Sequence, residues 1–209
     1  MGKNRNGYKR ADTVVVLDFE TSGMSPAYGD RPIEIGAVKL EKGVVTGQFQ
    51  ELMNPGFRID GFIESYTGIT NAMIRKAPPC EDVMARFADF IDGFDLVAHN
   101  ATFDRRFLDY ELDMIGQAYT GRFACSMLAA RRIYQDAPDH KLGTLVRFLC
   151  LDTDGTFHRA LADSIMTAQL WMTMLIDIQA RYALDVPDFL LMQKVTKTAK
   201  ARVDKLFEG

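Results

Sequence analysis

The sequence predicts an α/β domain built on a mixed β-sheet, and three observations support this fold class. The first is a β-branched hydrophobic run from Thr13 to Phe19, which is typical of a buried strand. The second is a pair of strand-like segments on either side of Glu41-Lys42-Gly43, a signal for a hairpin. The third is the alternation of helical and strand patterns in the rest of the chain. Three sequential strands therefore open the domain as an antiparallel meander.

The elements follow one another with clear signals. The second and third strands are PIEIGAVKL and VVTGQFQEL, and a turn-rich stretch with one short helix then ends at Pro78-Pro79. A helix is predicted over CEDVMARFADFIDGF, because Val83 and Phe87 recur at helical spacing and Gly93 closes the pattern. The remaining segments are a short strand in DLVAHN, a helix in TFDRRFLDYELDMIG, an extended FACSML, and helices in HKLGTLVRFLCL and ALADSIMTAQLWMTMLIDIQAR.

The two ends of the chain differ from the middle. Residues 1–12 are polar and basic and predict a loose arm, and residues 13–182 form the single domain. Residues 183–209 predict an amphipathic helix packed on that domain. Its apolar stripe consists of Met192, Val195, Ala199, Val203 and Leu206. The lysines between them form either a solvated face or a contact for nucleic acid or another protein.

Composition narrows the class of protein. The 209 residues are 47% hydrophobic and 25% charged, as in ordinary soluble globular proteins. The sequence contains no run of about 18 apolar residues, the length that a membrane-spanning helix needs. Its basic N-terminus lacks the apolar core of a secretory signal. Three widely spaced cysteines argue against a disulfide framework, so we expect a cytoplasmic protein. The net charge of −3 does not exclude a nucleic-acid partner, because bound cations invert the local charge of carboxylates.

Two carboxylates stand at the end of the first strand, in VVVLDFETSG. Asp18 and Glu20 are two residues apart, so in a strand both side chains point to the same side, while Phe19 points to the core. Carboxylates this close repel each other and share a proton unless a cation lies between them. The pair predicts either a metal site or, alternatively, a solvated strand end with acids placed by chance.

Another acid and a histidine–acid pair follow along the chain. Asp104 stands at the start of the helix after DLVAHN, where an acid would also complement the helix dipole. In FHRALADSIMTA, His158 and Asp163 are five residues apart, which places them about 140° apart on a continuous helix. They can serve one site only if His158 lies in the loop before the helix, and Gly155 permits such a loop.

Taken in order, DxE, HNAxFD and HxAxxD resemble the DEDDh branch of the 3′→5′ exonucleases, which includes the proofreading subunits of bacterial replicative polymerases and RNase T. The resemblance also covers RPIEIGAVKL, YTGITNAMI and HKLGTLVRFL, and it extends from about Val14 to Met174. It implies a ribonuclease H-like fold with a mixed five-stranded sheet, in which the meander is joined by parallel strands and flanked by helices.

The resemblance also implies a role for each motif residue. Asp18, Glu20 and Asp163 match the ligands of a first metal ion, with Asp18 bridging to a second ion. Asp104 matches the acid that supports the second ion, and His158 matches the general base. Oxygen ligands suit Mg²⁺ or Mn²⁺, and the absence of a Cys/His cluster argues against zinc. Two such ions stabilise the attacking and leaving oxygens of phosphodiester hydrolysis, while a histidine takes the proton of the attacking water.

The chain has three histidines, and His158 alone stands at the expected offset from a motif acid. His99 is the alternative base, or else a hydrogen-bonded residue that orients its loop. His140 precedes a helix and is interpreted as a capping or surface residue.

Contacts with the substrate follow from the resemblance. Phe103 would pack against the terminal bases, although a core position is its alternative interpretation. The backbone of Phe19, Glu20 and Thr21 would meet the 3′-OH, and Asn100 would support the site. Phe19 departs from the small polar residue often found between the two acids, which we expect to be tolerated because its side chain faces the core.

The expected activity is metal-dependent 3′→5′ exonuclease action that releases nucleoside 5′-monophosphates from single-stranded DNA. The alternative is 3′ trimming of RNA, as in RNase T or oligoribonuclease, because discrimination against a 2′-OH depends on pocket shape. A non-catalytic nucleic-acid-binding scaffold and an internally cutting nuclease are the more distant alternatives. The expected partners are nucleic-acid 3′ ends, a DNA polymerase subunit in trans, and a second copy of the chain in a homodimer.

Overall fold

The computed structural model of the chain describes residues 9–153 and 158–208. Its strands are β1 (Val14–Thr21), β2 (Pro32–Glu41), β3 (Val44–Leu52), β4 (Asp95–Ala98) and β5 (Phe123–Cys125). They form a five-stranded sheet in the order β3-β2-β1-β4-β5. The β3-β2-β1 pairs are antiparallel, and β4 and β5 continue the sheet in parallel with β1. The predicted mixed sheet with an opening meander is confirmed.

Helices flank the sheet. Those in the described residues are α1 (Gly61–Thr67), α2 (Asn71–Ile74), α3 (Cys80–Ile91), α4 (Thr102–Met114), α5 (Ser126–Ile133), α6 (Leu142–Phe148), α7 (Ala160–Tyr182) and α8 (Phe189–Lys197). Short 3₁₀ turns occupy Pro26–Tyr28, Lys200–Arg202 and Asp204–Leu206. None of the helices that the structure describes combines the length and apolarity needed to cross a bilayer.

Alternation along β1 divides the core into two halves. Val15 and Leu17 pack on the side of α3 and α4. Val14 and Val16 pack on the other side with α7, whose Trp171 is fully buried. Because side chains alternate with period two, the even-numbered acids of β1 lie on the α7 side, beyond the last apolar residue that faces this helix.

The predicted N-terminal arm is wrong for residues 9–12. Ala11 is fully buried, and its carbonyl accepts the indole N–H of Trp171 at 2.7 Å. Its own N–H donates to the Pro187 carbonyl, and Lys9 pairs with the buried Asp95 at 3.5 Å. A polar, basic sequence concealed these contacts because they involve backbone groups and residues distant along the chain. Residues 1–8 of the predicted arm lie outside the described residues.

The predicted C-terminal helix over 183–209 is also too long. Its α-helical part is α8 alone, because Thr198 adopts an extended conformation and its carbonyl accepts the Nε–H of Arg132 at 3.2 Å. Of the predicted stripe, Met192, Val195 and Val203 are buried. Ala199 is exposed, because the chain has left the helix by that point.

Candidate active site

The acids of β1 lie where the strand extends beyond its neighbour. The register of β4 with β1 covers only Val14–Val16, so this edge of β1 is open beside Asp18 and Glu20. There the backbone N–H of Phe19 donates to Asp104 Oδ1 at 3.1 Å. This hydrogen bond holds the third acid against the strand that carries the first two.

Asp104 is positioned by the turn between β4 and α4. It lies in the first turn of α4 and is only 2% exposed. Asn100 precedes the helix with φ of 69°, a left-handed conformation that asparagine tolerates better than most residues. The Asn100 carbonyl accepts the N–H of Phe103 at 2.9 Å. Asn100 therefore turns the chain into the helix that carries Asp104.

His158 and Asp163 come from the start of α7. The helix begins after Arg159, so His158 precedes it and Asp163 lies in its first turn. Asp163 Oδ2 accepts the backbone N–H of His158 at 3.0 Å, and φ of 61° at His158 turns the chain back toward the acids. One ligand atom from each of Glu20, His158 and Asp163 lies within 4.8 Å of the others. His158 and Asp163 can therefore serve one site, because His158 lies before α7 and Asp163 lies in its first turn. Gly155, cited for the preceding loop, lies outside the described residues.

The close approach of α7 to β2 depends on a glycine. Gly36 lies opposite Asp18 in the β1–β2 register. A Cβ at this position would lie 2.1 Å from the backbone nitrogen of Leu161. Ser164 Oγ also donates to the Gly36 carbonyl at 2.9 Å. The first turn of α7 thus rests on the β2 backbone, which brings Asp163 to the side of the sheet that carries Asp18.

Replacing Gly36 with alanine is expected to push α7 away from β2. We expect the free energy of unfolding to fall by about 1–3 kcal/mol, as in other overpacked cores. The nuclease activity that the motif resemblance implies should also fall, because Asp163 moves. Urea denaturation and digestion of a 5′-labelled oligonucleotide measure the two effects. Gly61→Ala is the matched control, since an added Cβ there meets nothing within 4 Å. Wild-type stability and activity in Gly36→Ala would contradict the role of this contact.

An ion pair between a half-exposed arginine and a buried glutamate also fixes the start of α7. Glu34 on β2 is fully buried and accepts two hydrogen bonds from Arg159, at 2.7 and 3.1 Å. It also accepts the N–H of Ala160 at 3.1 Å. A buried carboxylate requires such partners, because ionised groups are costly to remove from water. The pair ties the residue after His158 to the strand beside β1, where Glu34 lies opposite Glu20.

The pKa values of all four carboxyl groups are raised, and burial is the largest cause for each. Burial, followed by the charges of Asp104 and Asp163, raises the pKa of Asp18 well above its usual range. Burial and the charge of Asp163 raise the pKa of Glu20 to about 8. Burial also raises the pKa of Asp104 and that of Asp163. The cluster therefore binds protons at neutral pH unless another cation neutralises it, and its oxygen donors are those preferred by hard divalent ions.

These shifts predict how pH affects the metal-free protein. An acid whose pKa is raised by folding binds more protons in the native than in the unfolded state, so the free energy of unfolding decreases as pH rises between the two values. For Glu20 this window runs from 4.5 to about 8. We expect the metal-free protein to melt at a lower temperature at pH 8 than at pH 5.5. Added Mg²⁺ should raise the melting temperature more at pH 8, because it binds the ionised native site. An equal Mg²⁺ effect at both pH values in differential scanning calorimetry would contradict this prediction.

The other two histidines have structural roles. His99 Nδ1 lies 2.9 Å from Ser126 Oγ, and its Nε2 lies 2.9 Å from the His140 carbonyl oxygen. Burial lowers the pKa of His99 to about 4, so the ring is neutral at physiological pH. His99 is thus the hydrogen-bonded residue that the sequence allowed. His140 is half-buried, with Nε2 3.0 Å from the Tyr134 carbonyl oxygen, and the capping interpretation is wrong because Lys141 occupies the N-cap of α6.

A cleft of about 680 Å³, which we call the aromatic cleft, opens above the acids. All nine residues predicted for the site line it, namely Asp18, Phe19, Glu20, Thr21, Asn100, Phe103, Asp104, His158 and Asp163. Phe62, Tyr66 and Met24 complete an apolar wall, with Phe62 70% exposed and Met24 72% exposed. Phe103 is half-buried and packs on Phe107 at 5.2 Å between ring centroids. Its ring therefore belongs partly to the core and partly to the cleft.

The side chains of Phe19 and Thr21 contact other parts of the protein. The ring of Phe19 is 4% exposed and packs edge-on against Phe87, as its position in the strand predicts. The Thr21 hydroxyl donates to the Gly23 carbonyl at 2.6 Å. Since the Phe19 N–H already bonds Asp104, substrate contacts from Phe19 are limited to the rest of its backbone.

Sequence reasoning missed several residues that shape this site. The ring of Tyr66 packs on the ring of His158 at 4.2 Å between centroids, and Phe62 stacks on Tyr66 at 5.8 Å. Two aromatic residues four apart on a short helix were the available signal. The acid at Glu34, between buried isoleucines, was the signal for a cationic partner, which proved to be Arg159.

Several known proteins are similar to this chain over most of its length. The sequence model of the exonuclease family, named for RNase T, matches residues 15–171. The DNA polymerase III PolC-type protein of Caldanaerobacter subterraneus subsp. tengcongensis is 36% identical over 165 residues, which are 79% of this chain and 12% of that protein. The DNA polymerase III subunit epsilon of Aquifex aeolicus is 28% identical over 186 residues, which cover 88% of this chain and 90% of that subunit. The solved structure of exonuclease X in complex with 5′ overhanging duplex DNA superposes with a TM-score of 0.67 at 26% identity, covering 88% of this chain and 99% of that one.

The extent of these matches differs from one relative to another. The chain spans 12% to 24% of the length of the first three curated relatives that it matches. By contrast, the epsilon subunit and exonuclease X are matched over nearly their whole length. The ribonuclease H-like fold implied by the sequence resemblance is confirmed by the exonuclease X superposition. With the family model covering residues 15–171 and the acids converging as described, this chain belongs to the exonuclease family.

Proposed function

We propose that this protein is a metal-dependent 3′→5′ exonuclease that releases nucleoside 5′-monophosphates from the 3′ ends of single-stranded DNA. The observation that carries the proposal is the convergence of four carboxylates and one histidine, from β1, α4 and the start of α7, at the floor of the aromatic cleft. An exonuclease needs both parts, because it must hold a terminal nucleoside and hydrolyse the phosphodiester beside it. Membership in the exonuclease family supports the same activity.

Each part of the site has a role in this reaction. Asp18, Glu20, Asp104 and Asp163 would hold two divalent ions, Mg²⁺ or Mn²⁺, which when bound stabilise the attacking and leaving oxygens of the displacement. His158 is exposed to the cleft and takes the proton from the attacking water. The Asp163 carboxylate and the Tyr66 ring hold His158 in place through its backbone N–H and its imidazole face.

The apolar wall would bind the terminal nucleoside. Phe62 and Phe103 offer aromatic faces on which a base can stack, and such contacts tolerate any base. Asn100 would keep its supporting position, and the backbone of Phe19–Thr21 would meet the 3′-OH. This combination suits removal of nucleotides one at a time from an unpaired end.

DNA is the favoured substrate because the Aquifex relative matched over most of its length is a DNA polymerase III epsilon subunit. The similarity to this subunit also supports a DNA polymerase partner in trans. A homodimer is proposed independently of that similarity. The described cysteines, Cys80, Cys125 and Cys150, are all free thiols, which supports a reducing cytoplasmic location.

Matched 5′-labelled single-stranded DNA and RNA test the proposal. With Mg²⁺ or Mn²⁺, we expect a ladder that shortens from the 3′ end, is lost with chelator, and forms faster on DNA. Faster degradation of RNA would replace the DNA assignment with RNA trimming. A product pattern of internal cuts, or no digestion of either polymer, would contradict the exonuclease.

A further inference from the structure

A second cleft meets the aromatic cleft at the acids. It has a volume of about 430 Å³, and we call it the basic cleft because Lys141 and Arg147 line it together with Thr144. Both clefts are lined by the same five residues at their junction, namely Asp18, Tyr66, His99, His158 and Asp163. From this junction one cleft runs toward Phe62 and Phe103, and the other runs along α6. The proposed reaction centre therefore lies between an aromatic and a cationic surface.

The cations of the basic cleft are available for a ligand. Lys141 and Arg147 are both exposed, and among the described residues neither forms an ion pair. Arg147 Nη2 makes a long contact with Thr144 Oγ1, at 3.5 Å. The neighbouring Asp139 accepts the backbone N–H of Lys141 through its carboxylate at 2.9 Å. The charge of Lys141 also helps to lower the pKa of Asp139. Two exposed cations beside a cluster of acids form a surface that suits a polyanion passing over that cluster.

The basic cleft is linked to the floor of the site through His99. His99, at the end of β4, contacts the carbonyl oxygen of His140 through Nε2 at 2.9 Å. Its other ring nitrogen contacts Ser126 at the start of α5. Because His140 directly precedes Lys141, this link sets the distance between the acids and the wall of the basic cleft.

The two parts of a nucleic-acid strand on either side of the scissile bond differ chemically, and each part suits one of the two clefts. Removal of a terminal nucleotide leaves a nucleoside on one side of the reacting phosphate and the remaining strand on the other. A terminal nucleoside offers a base for stacking, which suits the aromatic cleft. The remaining strand offers one negative phosphate per nucleotide, which suits paired cations.

We infer, on the basis of the proposed function, that Lys141 and Arg147 bind the phosphate backbone of the strand that remains after cleavage, upstream of the scissile phosphate. The basic cleft thus determines the direction in which the strand crosses the acids. It also makes the enzyme prefer oligonucleotides to substrates that have a single nucleotide.

Two substrates separate this role from catalysis. One is a single-stranded oligothymidylate, and the other is the p-nitrophenyl ester of thymidine 5′-monophosphate, which has no upstream nucleotide. For Lys141→Ala and Arg147→Ala we expect kcat/KM on the oligonucleotide to fall roughly tenfold per side chain, and the loss to be confined to that substrate. The slope of log kcat/KM against log salt should become shallower by about 0.7 for each lost phosphate contact. Arg147→Lys and Lys141→Arg should recover most of the activity.

Lys42→Ala is the matched control, because Lys42 is exposed in the β2–β3 turn, at the opposite end of β1 from the acids. Wild-type kinetics of the Lys141 and Arg147 variants on the oligonucleotide would overturn the inference. An equal loss on the ester would also overturn it, since these residues would then act on the reaction centre. If the wild-type protein hydrolyses neither substrate, the exonuclease proposal itself fails. The ester tests that proposal independently, because it has no upstream strand for Lys141 and Arg147 to bind.

Discussion

Replacement of Asp18 by asparagine is expected to lower the rate of 3′-end degradation by about 1000-fold or more while making the metal-free protein more stable. The activity falls because Asp18 is the acid proposed to contact both ions. The stability rises because burial, followed by the charges of Asp104, Asp163 and Glu20, raises the pKa of Asp18 and makes its ionised form costly. An asparagine of the same shape removes the charge. Asp18 thus lowers the stability of the metal-free protein while it is needed for activity, as is common for active-site residues.

Single-turnover digestion and calorimetry at pH 8 without metal measure the two effects of Asp18→Asn. The increase in melting temperature caused by Mg²⁺ in the wild type should also be largely lost. Asp89→Asn is the matched control, because Asp89 is an exposed acid on α3, away from the cleft. A variant that loses activity and also melts at a lower temperature than wild type without metal would contradict the proposal that the Asp18 charge destabilises the metal-free protein.

Replacement of His158 by glycine is expected to slow the chemical step by about 100- to 10,000-fold, the range for loss of a general base. Glycine is the informative choice because His158 has φ of 61°, which glycine adopts without strain. The fold and the hydrogen bond from its backbone to Asp163 should therefore be retained. The variant removes the imidazole and leaves the metal ligands in place.

Added imidazole tests whether the lost group acts as a base. The position is exposed and lies beside Tyr66, so a free imidazole can occupy the vacated space against that ring. We expect imidazole to restore part of the rate of His158→Gly and to leave Asp18→Asn unchanged. If His158→Gly retains wild-type single-turnover rates, His158 is not the base.

Much of the fold followed from local patterns. The β-branched run of β1, the hairpin at Lys42-Gly43 and the alternation of helices and strands predict the sheet correctly, because these signals act between neighbours in sequence. Two interior predictions were wrong, because the turn-rich stretch holds two short helices instead of one and α5 begins at Ser126 within the segment predicted as extended. The larger errors lay at the ends of the chain. Periodicity alone extended the last helix past Thr198, where a hydrogen bond from Arg132, 66 residues away, holds the chain in an extended conformation. A basic composition likewise suggested a free arm where Ala11 is buried against Trp171.

The sequence by itself determined the chemistry of this protein: the residue types of the site, the shared face of Asp18 and Glu20, and the order in which the motifs follow. These depend on residue identity and on the period of a strand, both of which are local. Only the tertiary structure decided that α7 lies against Gly36, that Arg159 reaches the buried Glu34 125 residues away, and that two clefts of different character meet at the acids. The physical reason is that each of these depends on close contact between segments distant in sequence, and such contacts exist only once the core has packed.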